Sequence, residues 1–306
     1  MSNNFLISLR DYNVLGKPGT KMGETTTYFD ISDSQKVYLL EERIAQKVWL
    51  DRVRIAGASV LVFVHGFADD AEKVVERHRS IRPHVPSGVS LVSFDWPAGN
   101  RDKPYETDKA NAALSAPKLM SECLNVLLTS KLFEGKNIHL FAHSMGAYVT
   151  ETAFQPQQSF KINHVLMAAA DVDQLNYRDK SAPLTNFLGK CADLTAYWST
   201  DDAALQDSEK LNKYTPLGLK GYPDPDTPGG CYGVQCTTYY NRYVKYSGQD
   251  ATFSHIWYIL YPVIPPQPPS VNDFYTDMIK TLQGPPVPPP SPSPTRATGF
   301  MLRRPT

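Results

Sequence analysis

The sequence predicts an α/β domain, a doubly wound and mostly parallel sheet with helices on both faces, and three observations carry that reading. Short apolar runs ending in small residues recur along the chain, as expected of strands covered on both faces. Helix-forming stretches separate them, the alternation of strand, helix and strand that winds a parallel sheet. With 306 residues, of which 42% are hydrophobic and 20% charged, the chain is long and apolar enough to bury one large core.

Residues 1–35 carry scattered Gly, Pro, Thr and Asp with little period, and read as an irregular N-terminal leader. Edge strands are expected near Lys36–Leu40 and Lys47–Val53. From Ala58 the pattern sharpens: the run from Ser59 to Val64, stopped by His65-Gly66, is a buried strand, and Ala68–Ile81 reads as the helix after it. Further strands fall at Ser90–Phe94, Asn137–Ala142, Asn163–Ala169 and Leu194–Ser199, with a last one within Val234–Tyr246. Helices fall at Thr107–Leu132, Met145–Phe154 and Asp273–Leu282. The interval between the strands at Leu166 and Ala196 has room for one or two helices, so no large lid is expected. The Tyr-, Gly- and Pro-rich stretch Tyr214–Tyr246 is long enough for a flap, whose aromatics either line an acyl pocket or pack as a surface loop. After Gln283 the composition turns to repeated proline, so residues 284–306 read as a disordered tail on a folded domain spanning 36–283. Such a tail suits docking to an SH3-like or WW-like partner only as a weak signal.

Composition narrows the function classes. Lys plus Arg and Asp plus Glu stand at 31 each, for a net charge of zero, which gives no pull toward nucleic acid or an anionic surface. The N-terminus lacks the basic start and sustained apolar stretch of a secretory signal, and the expectation is a cytoplasmic protein. No apolar run approaches the roughly 20 residues of a membrane-spanning helix. Four cysteines are too few for a disulfide framework; Cys231 and Cys236 are near enough in sequence to close a small loop, but reduced thiols are the expectation. Neither the cysteines nor any other motif implies a metal or a cofactor.

Ligands of such sheets lie beyond the carboxyl ends of the strands, and the residues there carry chemistry. Ala142-His143-Ser144-Met145-Gly146 sits where a buried strand stops and a helix starts, the arrangement of a nucleophile elbow. Small flanking residues such as Gly146 let strand and helix approach, and the serine hydroxyl projects above the sheet edge. The Met145 N–H, at the start of the helix, is a natural oxyanion donor. A second comes from His65-Gly66-Phe67, with the Phe67 N–H in that role. His65 and His143 read as supporting residues, His65 as an organiser of loop backbone.

A serine needs a base, and the base needs an acid to fix its tautomer. In this arrangement they follow in the order serine, acid, histidine. Downstream of Ser144 lie His164, at the start of a strand and the wrong end of the sheet, and His255, after the final strand; His255 is the candidate base. Asp201 and Asp202 both end a strand within reach of such a base. Asp171 and Asp173, after the preceding strand, are rivals, and Asp201 also suits a helix cap.

These segments together resemble a bacterial α/β-hydrolase family of unknown function, DUF900, over approximately Val60 to Tyr258. The resemblance is carried by Val-Phe-Val-His65-Gly-Phe67, Phe94-Asp-Trp96-Pro97-Ala-Gly, Tyr105-Glu-Thr-Asp108, Ala142-His-Ser144-Met-Gly146, Tyr197-Trp-Ser199 with Asp202-Ala-Ala-Leu205, and Ser254-His255. It implies the α/β-hydrolase fold, alanine at the first elbow position, Asp202 as the acid, and an esterase-like or lipase-like hydrolase. The expected substrate is a small-molecule ester. Amidase, thioesterase or acyltransferase chemistry would use the same triad, and a non-catalytic binding or scaffold protein recruiting partners through the tail is the alternative from another class.

Overall fold

The computed structural model describes residues 4–99, 104–155, 160–223, 229–245, 252–260, 273–283 and 300–301. Contacts divide the chain into two units, Met1–Asn163 and His164–Thr306.

In the first unit, β1 (Asn4–Tyr12), β2 (Pro18–Asp30), β3 (Ser59–Val64), β4 (Val89–Asp95) and β5 (Asn137–His143) form a sheet in the order β2-β1-β4-β3-β5. β1 is antiparallel to β2, and the pairs β1/β4, β3/β4 and β3/β5 are parallel. Helices α1 (Gln46–Ala56), α2 (Ala71–Ile81), α3 (Tyr105–Lys118), α4 (Asn125–Thr129) and α5 (Met145–Phe154) connect or follow them. β3 and β4 are buried through almost their whole length, which is why β3 reads as a continuous apolar run and β4 as a mostly apolar one.

Residues 4–30 correct the expectation of an irregular leader, because they supply two strands. Every residue of β1 from Asn4 to Arg10 is buried, so β1 shows none of the alternation of a half-exposed strand, and its polar residues are paired inside. Leu6, Phe29 and Ile31 pack with Tyr38 and with Val74 and Val75 of α2. The strand expected at Lys47–Val53 is instead α1, whose buried residues Trp49 and Val53 stand one helical turn apart. Lys36–Leu40 is likewise no strand; a short 3-10 turn starts at Leu40. α2 begins three residues later than expected, because Ala68 has φ +57° and Asp70 caps the helix by accepting the Lys73 N–H at 3.0 Å. The long helix expected at Thr107–Leu132 is interrupted by a π turn at Leu119–Leu124. Pro117 lies just before it inside α3, where its missing N–H breaks the regular ladder.

The second unit holds β6 (Ile162–Ala168) from His164 on, β7 (Cys191–Trp198), β8 (Cys231–Gln235) and β9 (Phe300–Met301), in the order β6-β7-β8-β9. β8 is parallel to both β7 and β9. Between them lie α6 (Ala182–Lys190), α7 (Ala203–Asn212), α8 (Leu217–Lys220), α9 (Thr237–Tyr239) and α10 (Phe253–Ile256), with α11 (Asp273–Gln283) after. Only a 3-10 turn (Gln174–Tyr177) and α6 separate β6 from β7, in keeping with the expected absence of a large insertion there. The described residues of the stretch long enough for a flap include α8, β8 and the turns of Thr237–Val244, so β8 lies earlier than expected; residues 224–228 lie outside the described residues. Most of the expected proline-rich tail lies outside the described residues; Phe300–Met301 pair with Val234 and Gln235 as β9. Among the described residues no helix is long and apolar enough to cross a membrane.

Candidate active site

In the first unit β5 ends at His143 and α5 begins at Met145, leaving Ser144 between them at φ +56°, ψ −125°. An L-residue other than glycine pays steric strain in that region, and such residues concentrate at functional sites. The packing around it accounts for the neighbouring small residues. A Cβ on Gly146 would fall 2.2 Å from the Val64 carbonyl oxygen and 2.6 Å from that of His65, so only glycine lets α5 approach β3. A Cβ on Gly66 would stand 2.8 Å from the Ser144 Cβ, and the His143 ring lies against the same glycine. Met145 opens α5, where first-turn N–H groups have no carbonyl of their own helix to bond.

His65 is fully buried. Its Nδ1 meets the Gly66 carbonyl at 3.0 Å and its Nε2 the Trp96 carbonyl at 3.0 Å and Asp95 Oδ1 at 3.2 Å. The Trp96 indole stacks on the imidazole at 5.0 Å between centroids and donates to the His65 carbonyl at 2.8 Å. These contacts give His65 an organising place in the loop that carries Phe67. Behind it, Arg10 of β1 donates from Nε to both Asp95 oxygens at 2.7 and 2.9 Å, and Tyr38 donates to the same carboxylate. Arg10 further reaches the carbonyls of Ala98 at 2.7 Å and Asp69 at 2.8 Å. Burial by itself would push the Asp95 carboxyl up, but the Arg10 guanidinium, with His65 and Tyr38, holds it below the usual carboxylate range.

In the second unit His255 Nδ1 stands 2.8 and 3.0 Å from the two oxygens of Asp202. A ring nitrogen facing a carboxylate at that distance carries the proton, which leaves Nε2 as the basic atom. Asp202 is fully buried and His255 is 9% exposed, so the imidazole alone opens outward. Asp202 also caps α7, accepting the Leu205 N–H at 3.0 Å, and Ser254 accepts the Ala203 N–H at 2.9 Å, tying α10 to the start of α7. Trp257, stacked on Tyr258 at 4.2 Å and Tyr239 at 5.7 Å, anchors the turn that bears His255. The capping role expected of Asp201 thus falls to Asp202, while Asp201 accepts from Asn241 at 2.5 Å.

The rivals are engaged elsewhere. Asp171 accepts from Ser208 at 2.6 Å and Tyr214 at 3.3 Å. Asp173 caps the Gln174–Tyr177 turn through the Leu175 N–H at 2.9 Å. His164 pairs with Asp193 at 2.6 Å. All four cysteines are buried and in the thiol form, with no disulfide between Cys231 and Cys236, and burial pushes the Cys231 thiol up to about 12. Among the described residues no group of three His, Cys, Asp or Glu side chains is placed to hold a metal ion. Sequence reading missed Arg10 and Asp95 as supports of His65. The Asp95-Trp96 pair stood in the motif, but nothing local in sequence links it to Arg10.

Residues 42–219 match the family described as alpha/beta hydrolase of unknown function (DUF900). No curated protein matches the chain. Among solved structures, esterase B from Lactobacillus rhamnosis is similar at 10% identity and a TM-score of 0.40, covering 92% of this chain and 86% of that one. A lipase-esterase related protein from Clostridium acetobutylicum is similar at 11% identity and a TM-score of 0.28, over 53% of this chain and 83% of that one. An esterase from Pyrococcus furiosus stands at 13% and 0.28, over 53% and 69%. The family match spans more than half of the sequence, and the chain belongs to the DUF900 family of α/β-hydrolases.

Proposed function

We propose that this α/β-hydrolase of the DUF900 family is a serine hydrolase of small carboxylic esters, with Ser144 as nucleophile, His255 as general base and Asp202 as the acid that orients it. The observation that carries the reading is the Ser144 backbone, held at φ +56° between β5 and α5; strain of that kind persists only where the surrounding structure enforces it. The Asp202–His255 pair, with both carboxylate oxygens on Nδ1, supports it from the other unit.

His255 Nε2 takes the Ser144 proton as Oγ attacks the ester carbonyl, and the developing oxyanion is met by the N–H groups of Phe67 and Met145. The imidazolium, stabilised by Asp202, returns its proton to the departing alcohol. Water then attacks the acyl-enzyme by the same route and frees the acid. His65, Gly66, His143 and Gly146 hold the two loops in place.

The test is hydrolysis of short-chain and long-chain chromogenic esters, with thioester and amide analogues alongside and Ser144→Ala as control. Ester turnover by the wild type at least ~10³-fold above the variant is expected, because nucleophile and base act as a unit. Equal background rates for both proteins would reject the hydrolase reading in favour of a binding role for the fold.

A further inference from the structure

We propose that Asp108 is the positioning residue of the oxyanion loop, a single carboxylate that holds the Phe67 N–H in line for the substrate carbonyl; this rests on the ester-hydrolase reading above. Asp108 lies on α3, outside the triad and both oxyanion donors, and is fully buried. Its Oδ2 accepts the Ala68 N–H at 3.1 Å and its Oδ1 accepts the Gly99 N–H at 2.8 Å. One side chain therefore joins the loop that follows β3 to the loop that follows β4.

Three further observations give the contact a purpose beyond capping. Ala68 stands at φ +57°, a left-handed conformation that a residue with a Cβ keeps only under restraint, and the bond from its own N–H supplies one. With the Ala68 N–H committed to Asp108, the Phe67 N–H beside it stays open to a ligand, since among the described residues no backbone acceptor takes it. The loop also has no slack toward the nucleophile, since Gly66 sits against the Ser144 Cβ with space for no side chain. A displacement at Ala68 is thus felt at both Phe67 and Ser144.

The same face of α3 repeats the grip at spacings of three residues. Tyr105 packs its ring on Phe67 at 5.5 Å between centroids, and Asn111 donates to the Pro97 carbonyl at 2.8 Å. The chemistry of the clamp demands a carboxylate. Two N–H groups approach from different loops, so both oxygens must accept; an amide presents one acceptor and turns its NH₂ toward the other N–H. Burial pushes the Asp108 carboxyl above its ordinary range, against the two N–H bonds that favour the charged form, as expected of a carboxylate placed for geometry rather than for solvation.

The test uses the full chain and Asp108→Asn, with Asp108→Glu as a second variant that keeps both acceptor oxygens one methylene out of place. Amide hydrogen exchange over residues 66–68, kcat and KM on a chromogenic acetate ester, and inhibition by phenylboronic acid are measured for each. In Asp108→Asn the exchange at 66–68 should rise, kcat should fall ~10–100-fold with KM within twofold, and boronate inhibition should weaken in step with kcat, since only the tetrahedral adduct uses the oxyanion donors. Asp108→Glu should fall between, and it is the variant read should Asp108→Asn fail to fold. Unchanged exchange, or raised exchange with kcat and boronate inhibition within twofold of wild type, would overturn the positioning role. Raised exchange in a variant of a protein whose wild type hydrolyses no ester would support the clamp and reject the ester reading instead.

Discussion

A methyl group at Gly146 would meet the Val64 carbonyl oxygen at 2.2 Å, a backbone atom of a buried strand that has nowhere to move. Gly146→Ala is therefore expected to cost about 2–4 kcal/mol by overpacking, read as a lower urea midpoint with unchanged slope. Asp202→Asn keeps the shape of the pair but lets the imidazole take the wrong tautomer, and kcat should drop ~10²–10⁴-fold with little change in melting temperature. His78 sets a pH limit on stability. Burial, assisted by Arg82, lowers its pKa from 6.5 to about 3, and the neutral ring bridges Ser93 at 2.8 Å and Asn4 at 3.2 Å. The unfolded chain binds that proton below pH ~6.5 and the folded chain does not, so stability should fall as pH drops from about 6.5 toward about 3, by up to ~1.4 kcal/mol per pH unit. Urea titrations of wild type and His78→Gln across that window check it: the variant should show a shallower fall. Ser144 and His255 could be named as candidates from sequence because the elbow is a local pattern and the order of the partners leaves few histidines. Asp201 and Asp202 were not separable from the residues alone, since two adjacent carboxylates after one strand look alike until one of them is seen to face an imidazole.

β1 shows why part of the fold was hidden. β3 announces itself by the unbroken apolar run from Val60 to Val64, whereas β1 interrupts its run with Asn4, Ser8 and Arg10, residues that read as surface until their partners are known. Arg10 finds Asp95 across 85 residues, a distance over which no periodicity reports. With both side chains at zero exposure, removal of one leaves the other charged and buried. Arg10→Met is expected to cost about 3–5 kcal/mol, and the added Asp95→Leu to recover part of that loss. Thermal or urea unfolding of the single and double variants measures it; additive losses would remove the ion pair from the account of why β1 belongs in the sheet. α1 teaches the converse lesson. Trp49 and Val53 are spaced for a helix, yet the surrounding charged residues hide the pattern in so short a segment.

Across the whole chain, the proposed nucleophile Ser144 lies in the unit ending at Asn163, and the proposed Asp202 and His255 lie in the unit beginning at His164. The family match, which ends at residue 219, takes in Ser144 and Asp202 but not His255, so the base rests on the bond it makes to Asp202. That division points to the decisive measurement: intact-mass and peptide mapping after a fluorophosphonate probe, run on wild type and His255→Ala. An adduct on the Ser144 peptide in wild type, formed at least ~10²-fold more slowly in His255→Ala, is the expected result. A wild type left unlabelled at Ser144, or labelled at the same rate without His255, would contradict the triad.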